Sequence, residues 1–179
     1  TFWHGSYIPE APLFFAPARG ERALTARAVG ATTQAAAPKP GAPTDFVYPV
    51  TGLGYLRSPE RRSCLVLQAA PWGGHRHADS LNLTYHVDGC ELLSDLGYLW
   101  DGPVREKVTR TLAHHTVMVD GKEQRTRGRA GRFHLFHRLG PVKVVQAEAS
   151  VYDDATEYVR TLLAVESPAG EYVLDVFRS

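Results

Sequence analysis

The chain is poor in sulfur, balanced in charge and without a long apolar run, and each shortage closes off a class of protein. Its two cysteines, Cys64 and Cys90, lie outside any C-x-x-C pattern, too few for a disulfide framework or a thiolate zinc site. They read as buried free thiols or as one bridge, and they leave the redox compartment open. Lys and Arg number 20 against 19 Asp and Glu, a net charge of +1, so no overall basic field gathers nucleic acid or an anionic membrane. No apolar stretch approaches the roughly 20 residues of a membrane span. Residues 1–20 also lack the basic start and apolar core of a signal peptide. What is present suits a globular domain: 179 residues, 44% hydrophobic and 22% charged, enough for one core and too apolar for wholesale disorder.

Residues 1–20 are rich in aromatics and proline but follow neither a helical nor a strand period, and they read as a residual segment of an upstream domain. Residues 21–44 turn to Ala, Thr, Pro and Gly, with ATTQAAAPKPGAPT at 31–44, the composition of a linker or long surface loop. From Asp45 to the end, short β-type runs alternate with turn signals, which predicts an all-β, antiparallel β-sandwich over 45–179. Candidate strands are 46–57, 63–70, 80–87, 90–95, 115–120, 133–138, 142–152, 157–166 and 171–177. Asp88-Gly89, Asp120-Gly121, Leu139-Gly140-Pro141 and the segment 167–170 supply turns. The clearest alternation is 80–87, with Leu81, Leu83, Tyr85 and Val87 on one side and Ser80, Asn82, Thr84 and His86 on the other, a half-buried strand. The final run EYVLDVFRS would leave an unpaired hydrophobic edge, and the expectation is a fragment, incomplete at both ends.

The segment Trp72-Gly73-Gly74-His75-Arg76-His77-Ala78-Asp79 carries the chemistry. Two histidines one residue apart project to one side of an extended chain, and neutral imidazole is the commonest protein ligand for zinc. Asp95 follows the Asp88-Gly89 turn and His114 comes 19 residues later, so two His and one Asp make a plausible three-ligand set with a fourth position for water or substrate. His-Arg-His also fits a plain solvated loop. Register adds a condition. A two-residue Asp88-Gly89 turn sets Val87 opposite Cys90 and Asp95 opposite Asn82, on the face away from His77. A three-residue loop moves Asp95 opposite Leu81, on the shared face, and the metal reading calls for that longer loop.

Three stretches, TGLGYLRS, GGHRHADSLNLTYHVDGCELLSDLG and TRTLAHHTVMVDG, stand in an order that resembles the start of the C-terminal β-sandwich of the heparinase II/III-like polysaccharide lyases, over residues 46–179. The resemblance implies eliminases acting on uronic-acid polysaccharides such as alginate, heparin or heparan sulfate. A base removes the C5 proton, the neutralised carboxylate stabilises the carbanion, and an acid protonates the departing glycosidic oxygen. Carried over residue by residue, it implies a catalytic role for His75 and zinc ligation by His77, Asp95 and His114, the zinc being mainly structural. Tyr98 is a weaker candidate for an acid or base, and Arg76 and Trp100 are candidates for substrate contact. The implied partner is an anionic polysaccharide or oligosaccharide, the implied location periplasmic or secreted, and a homo-oligomer is left open. The family's other catalytic groups come largely from an N-terminal α/α-toroid that this chain lacks, so activity is expected of the full-length protein and not of this piece alone. Asp95-Leu96-Gly97 stands where many relatives have Asp-Pro-Gly.

Other features have simpler readings. The run from Lys122 to Arg132 carries five positive charges against one negative; it fits a solvated loop, with a sugar-binding role as the alternative. His134 and His137 are three apart and so fall on opposite faces of a strand, and only one of His114 and His115 can face the site. Asn82-Leu83-Thr84 spells a glycosylation sequon in mid-strand. A cupin would need a Glu four or five residues after the second His, where Leu81 and Asn82 stand. A non-catalytic, zinc-stapled sandwich for carbohydrate binding or oligomer support is the other function class that the sequence allows.

Overall fold

The computed structural model of the chain describes residues 45–58, 62–70, 77–97, 99 and 102–179. Both N-terminal segments read above, 1–20 and 21–44, lie outside them. Two antiparallel meanders follow one another along the chain. The first contains β1 (Phe46–Tyr48), β2 (Leu53–Ser58), β3 (Ser63–Gln68), β4 (Asn82–Val87) and β5 (Cys90–Leu93), in that spatial order. The second contains β6 (Gly131–Leu139), β7 (Val142–Ala149), β8 (Val159–Ser167) and β9 (Gly170–Arg178), again in sequence order. Between them run a single helical turn, α1 (Arg105–Val108), and a 3-10 turn, Thr111–Ala113. The all-β sandwich is therefore present, with the two sheets packed on a shared core.

Alternation builds that core. In the first sheet Leu56, Leu65 and Tyr85 stand in one cross-strand row, and with Leu67 and Leu83 they meet Val145, Ala147, Leu162 and Ala164 of the second. Apolar area removed from water here is the main stabilising contribution. The sheets approach so closely at Gly54 that a Cβ there would lie 2.8 Å from the Phe133 ring. Three polar ties also cross the interface. The Lys143 ammonium on β7, 2% exposed, donates to the Arg57 carbonyl on β2 and pairs with Asp45 at 3.5 Å and Glu166 at 2.8 Å. Glu171 on β9 accepts from the Ser63 hydroxyl at 2.8 Å and the Tyr85 hydroxyl at 3.0 Å. Arg160 on β8 donates to the Leu81 carbonyl at 2.7 Å and to that of His115, while Asp175 accepts its other nitrogens at 2.6 and 2.9 Å.

Several expectations are corrected. The run 46–57 is a hairpin, not one strand: β1 and β2 pair with Tyr48 opposite Leu53. The chain reverses there through Gly52, at φ 67° and against residues 69–70, where an added Cβ would lie 2.2 Å from the Ala70 Cα. Gly52→Ala is expected to destabilise the fold by about 2–5 kcal/mol through left-handed strain and overlap together, read as a lower denaturant midpoint at unchanged slope. Residues 115–120 are irregular, because Thr116 and Val117 bond to Ser80 and Tyr158 instead of a strand. The β4 strand is buried on both faces at Asn82, Leu83 and Thr84 rather than on one. His134 occupies a bulge between Phe133 and Leu135, which reverses parity and places it on the same outer face as His137 instead of the opposite one. Both cysteines are free, and burial pushes the Cys64 thiol up to about 12. As anticipated, β9 forms a sheet edge, with Tyr172, Leu174 and Val176 about half exposed.

Candidate metal centre

The site sits at the N-terminal end of β4, where three loops meet. The chain leaves β3 and returns through His77, Ala78 and Asp79 into a tight turn closed by the Asn82 N–H on the Asp79 carbonyl at 3.0 Å. Leu81 takes φ 59° in that turn, a conformation that a bulky residue adopts only when its surroundings impose it. Here the Arg160 guanidinium grips its carbonyl and the side chain is fully buried. Gln124 clamps the same turn, accepting from the Ser80 N–H at 2.7 Å and donating to the Ser80 carbonyl at 3.1 Å and the Tyr158 hydroxyl at 2.7 Å.

His77, Asp95 and His114, read from the sequence as a ligand set, are brought together, and Asp79 joins them. One ligand atom from each of the four lies within 4.8 Å of all the others. His77 Nδ1 is 2.9 Å from His114 Nε2, which in turn is 3.6 Å from an Asp95 oxygen and 3.9 Å from an Asp79 oxygen. The second ring nitrogen of His114 donates to the Arg110 carbonyl at 2.8 Å, which fixes the tautomer and leaves Nε2 as a bare lone pair aimed into the cluster. Each carboxylate is held as well. Gln68 donates to Asp79 at 2.8 Å, Asn82 donates to Asp95 at 2.8 Å, and the Gly97 N–H donates to the other Asp95 oxygen at 2.7 Å. Gln68 and Asn82 are themselves paired residues of β3 and β4, so rigid sheet positions aim both acids.

Electrostatics agree with a cation site. Burial holds the His77 imidazole below its ordinary value, opposed by Asp95 and aided by His114. Burial pushes the Asp79 carboxyl up to about 6 against the attraction of His114. Asp79 Oδ1 is buried with no hydrogen-bond partner, a costly arrangement for a carboxylate unless a cation completes it. The donor set of two imidazoles and two carboxylates is chemically suited to zinc and to its divalent neighbours.

The turn condition drawn from register is overturned. Val87 does pair with Cys90 across a two-residue Asp88-Gly89 turn, yet Asp95 reaches the cluster. Strict alternation does not run from His77 to Asn82, because the turn at Leu81 breaks it, so Asn82's side of β4 is the side of the cluster. A bulge at Leu92 further shifts the register between Tyr85 and His86. His115 points elsewhere, its Nε2 donating to the Ser94 carbonyl at 3.1 Å while its backbone N–H is accepted by Asn82; as expected, only one of the adjacent pair enters. Asn82 is buried and committed to Asp95, which leaves no glycosylation site there. The four remaining candidates, His75, Arg76, Tyr98 and Trp100, lie outside the described residues. Sequence reasoning missed Asp79, although H-x-D repeats the two-residue spacing of H-x-H, and missed the supports Gln68, Asn82 and Gln124.

Four of the five positive charges of the basic run are held in ion pairs. Arg125 and Arg129 pair with Asp153, Lys122 with Asp154, and Arg132 with Glu148.

Residues 40–178 match the family model described as heparinase II/III-like, C-terminal. The chain belongs to that family, and its sandwich is the family's C-terminal module. Among solved structures it is similar to heparan sulfate lyase HepC from Pedobacter heparinus, at a TM-score of 0.61 and 19% identity over 70% of this chain. The chain spans 21% of that lyase's length. No curated protein matches it.

Proposed function

We propose that this sandwich is part of a polysaccharide lyase that cleaves uronic-acid-containing glycans by β-elimination, with a zinc ion in the four-residue cluster. The observation that carries the reading is family membership over 40–178 together with a buried His/Asp cluster at the positions where the resemblance implies zinc. The full-length protein would place an α/α-toroid upstream of this sandwich, with residues 21–44 as the connection. Polymeric substrates of this class lie outside the cytoplasm, which favours a periplasmic or secreted enzyme. Among the described residues no helix is long and apolar enough to cross a membrane.

In this reading His75 lies at the cleft, two residues before a histidine that is committed to the metal. A base takes the C5 proton, the electron pair forms the C4–C5 double bond, the C4–O bond breaks, and an acid returns a proton to the departing oxygen. His75 and Tyr98 are the candidates from this chain for those proton transfers, and Arg76 and Trp100 for holding the sugar. No water is consumed, so the chemistry asks the metal only to hold three loops in place. A bound zinc would supply that cross-link.

The experiment is incubation of the full-length protein with alginate, oligoalginate and heparan sulfate, following ultraviolet absorbance of the unsaturated uronate. Absorbance growth on one of them is expected. No product from any uronate polymer would overturn the lyase reading and favour a non-catalytic, metal-stapled module.

A further inference from the structure

We infer that Asp79 is a fourth protein ligand, so that the cluster closes around its metal with no position left for water or substrate. The inference rests on the metal reading above and goes beyond it, because three ligands alone would leave one site open.

The argument begins with what Asp79 lacks. Its side chain is 4% exposed, Oδ2 takes a hydrogen from Gln68, and Oδ1 has no hydrogen-bond partner. Elsewhere in the site each polar ligand is matched: Asp95 accepts on both oxygens and His114 donates from Nδ1. A carboxylate acting only as an outer support would be expected to grip a ligand's N–H. Yet the His114 Nδ1–H is already given to Arg110, and Asp79 Oδ2, the oxygen that also holds Gln68, faces the bare Nε2 of His114 at 3.9 Å. Asp79 therefore faces the free Nε2 of His114, and one of its oxygens lies within 4.8 Å of a ligand atom of each of His77, Asp95 and His114.

Charge leads to the same assignment. Two neutral imidazoles and two carboxylates give −2, which a divalent cation cancels. With Asp79 excluded, the ion and three ligands would carry +1 and leave a separate buried anion beside it, an arrangement that a low-dielectric site penalises. Gln68 anchoring one oxygen is the usual outer support of a ligating carboxylate.

The test uses the full-length protein loaded with cobalt(II), whose visible spectrum reports coordination, and azide as a small anion that competes for any open position. In the wild type the cobalt spectrum is expected to be unchanged by saturating azide. Asp79→Ala should weaken cobalt binding by about 100-fold, at or beyond the upper end for loss of an outer support, and its residual cobalt spectrum should respond to azide. Asp79→Asn, which keeps size and the Gln68 contact, should also weaken cobalt and covers the case in which the alanine variant fails to fold. An azide response in the wild type, or Asp79→Asn binding cobalt as tightly as the wild type, would overturn the fourth-ligand assignment while leaving a metal site. A wild type that takes up neither cobalt nor zinc would overturn the metal reading itself.

Discussion

His114→Ala in the full-length protein is expected to take bound metal from about one ion per chain to near zero and to lower the melting temperature by about 10 °C. His114 is the hub of the cluster: its Nε2 lies within 2.9 Å of His77, 3.6 Å of Asp95 and 3.9 Å of Asp79. Its loss removes one donor and the ring that the Arg110 carbonyl orients. The thermal effect follows from mass action, since a ligand at about 1,000 times its Kd stabilises the folded state by roughly 4 kcal/mol, and each kcal/mol is worth about 2–4 °C in the melting of a domain the size of this sandwich. Elemental analysis and differential scanning fluorimetry read the two effects. Chelated wild type should melt where the variant does, which separates loss of metal from loss of packing. Equal metal in variant and wild type would remove the site.

The second large effect belongs to His75. In the full-length protein His75→Ala should retain metal and fold yet lose about 10²-fold or more of the elimination rate, the usual contribution of a positioned proton-transfer group. His77 is drawn into the cluster by its Nδ1. The more N-terminal histidine, preceded by Gly73-Gly74, is the one free of that duty in the proposed arrangement. The pair of variants makes the assignment sharp: His77→Ala loses metal and activity together, whereas His75→Ala loses activity alone. Turnover of His75→Ala at the wild-type rate on the preferred uronate polymer would refute the catalytic role without touching the metal centre.

Much of this was legible because it is local. Asp88-Gly89, Gly140-Pro141 and the 167–170 turn mark three hairpins that the structure forms, with Val87 opposite Cys90, Leu139 opposite Val142 and Ser167 opposite Gly170. Residue type and spacing made His77, Asp95 and His114 a plausible set beside a solvated-loop reading, the resemblance named them, and the fold brings them together. What escaped was whatever depends on backbone that is neither strand nor standard turn. Counting faces from His77 to Asn82 fails at Leu81, whose φ of 59° is imposed from another sheet by Arg160. Residues 115–120 have the β-branched look of a strand, yet their carbonyls and hydroxyls are taken by Tyr158, Arg160 and Ser80. The bulges at Leu92 and His134 insert single residues that no two-residue pattern announces. Asp79 escaped because its role depends on Gln68, a partner across the sheet.

The polar ties between the sheets have a mechanical consequence. Apolar contact is non-directional, so two greased sheets could slide over one another by a fraction of a residue at little cost. Lys143 on the Arg57 carbonyl, Glu171 on Ser63 and Tyr85, and Arg160 on the Leu81 and His115 carbonyls are fixed at three separate points. Two fixed points suffice to stop translation and rotation in a plane, and a third resists shear within the sheets themselves. One of the three is anchored on the very turn that presents Asp79 and on the loop that presents His114, so the position of the His/Asp cluster is indexed to the second sheet as firmly as to its own.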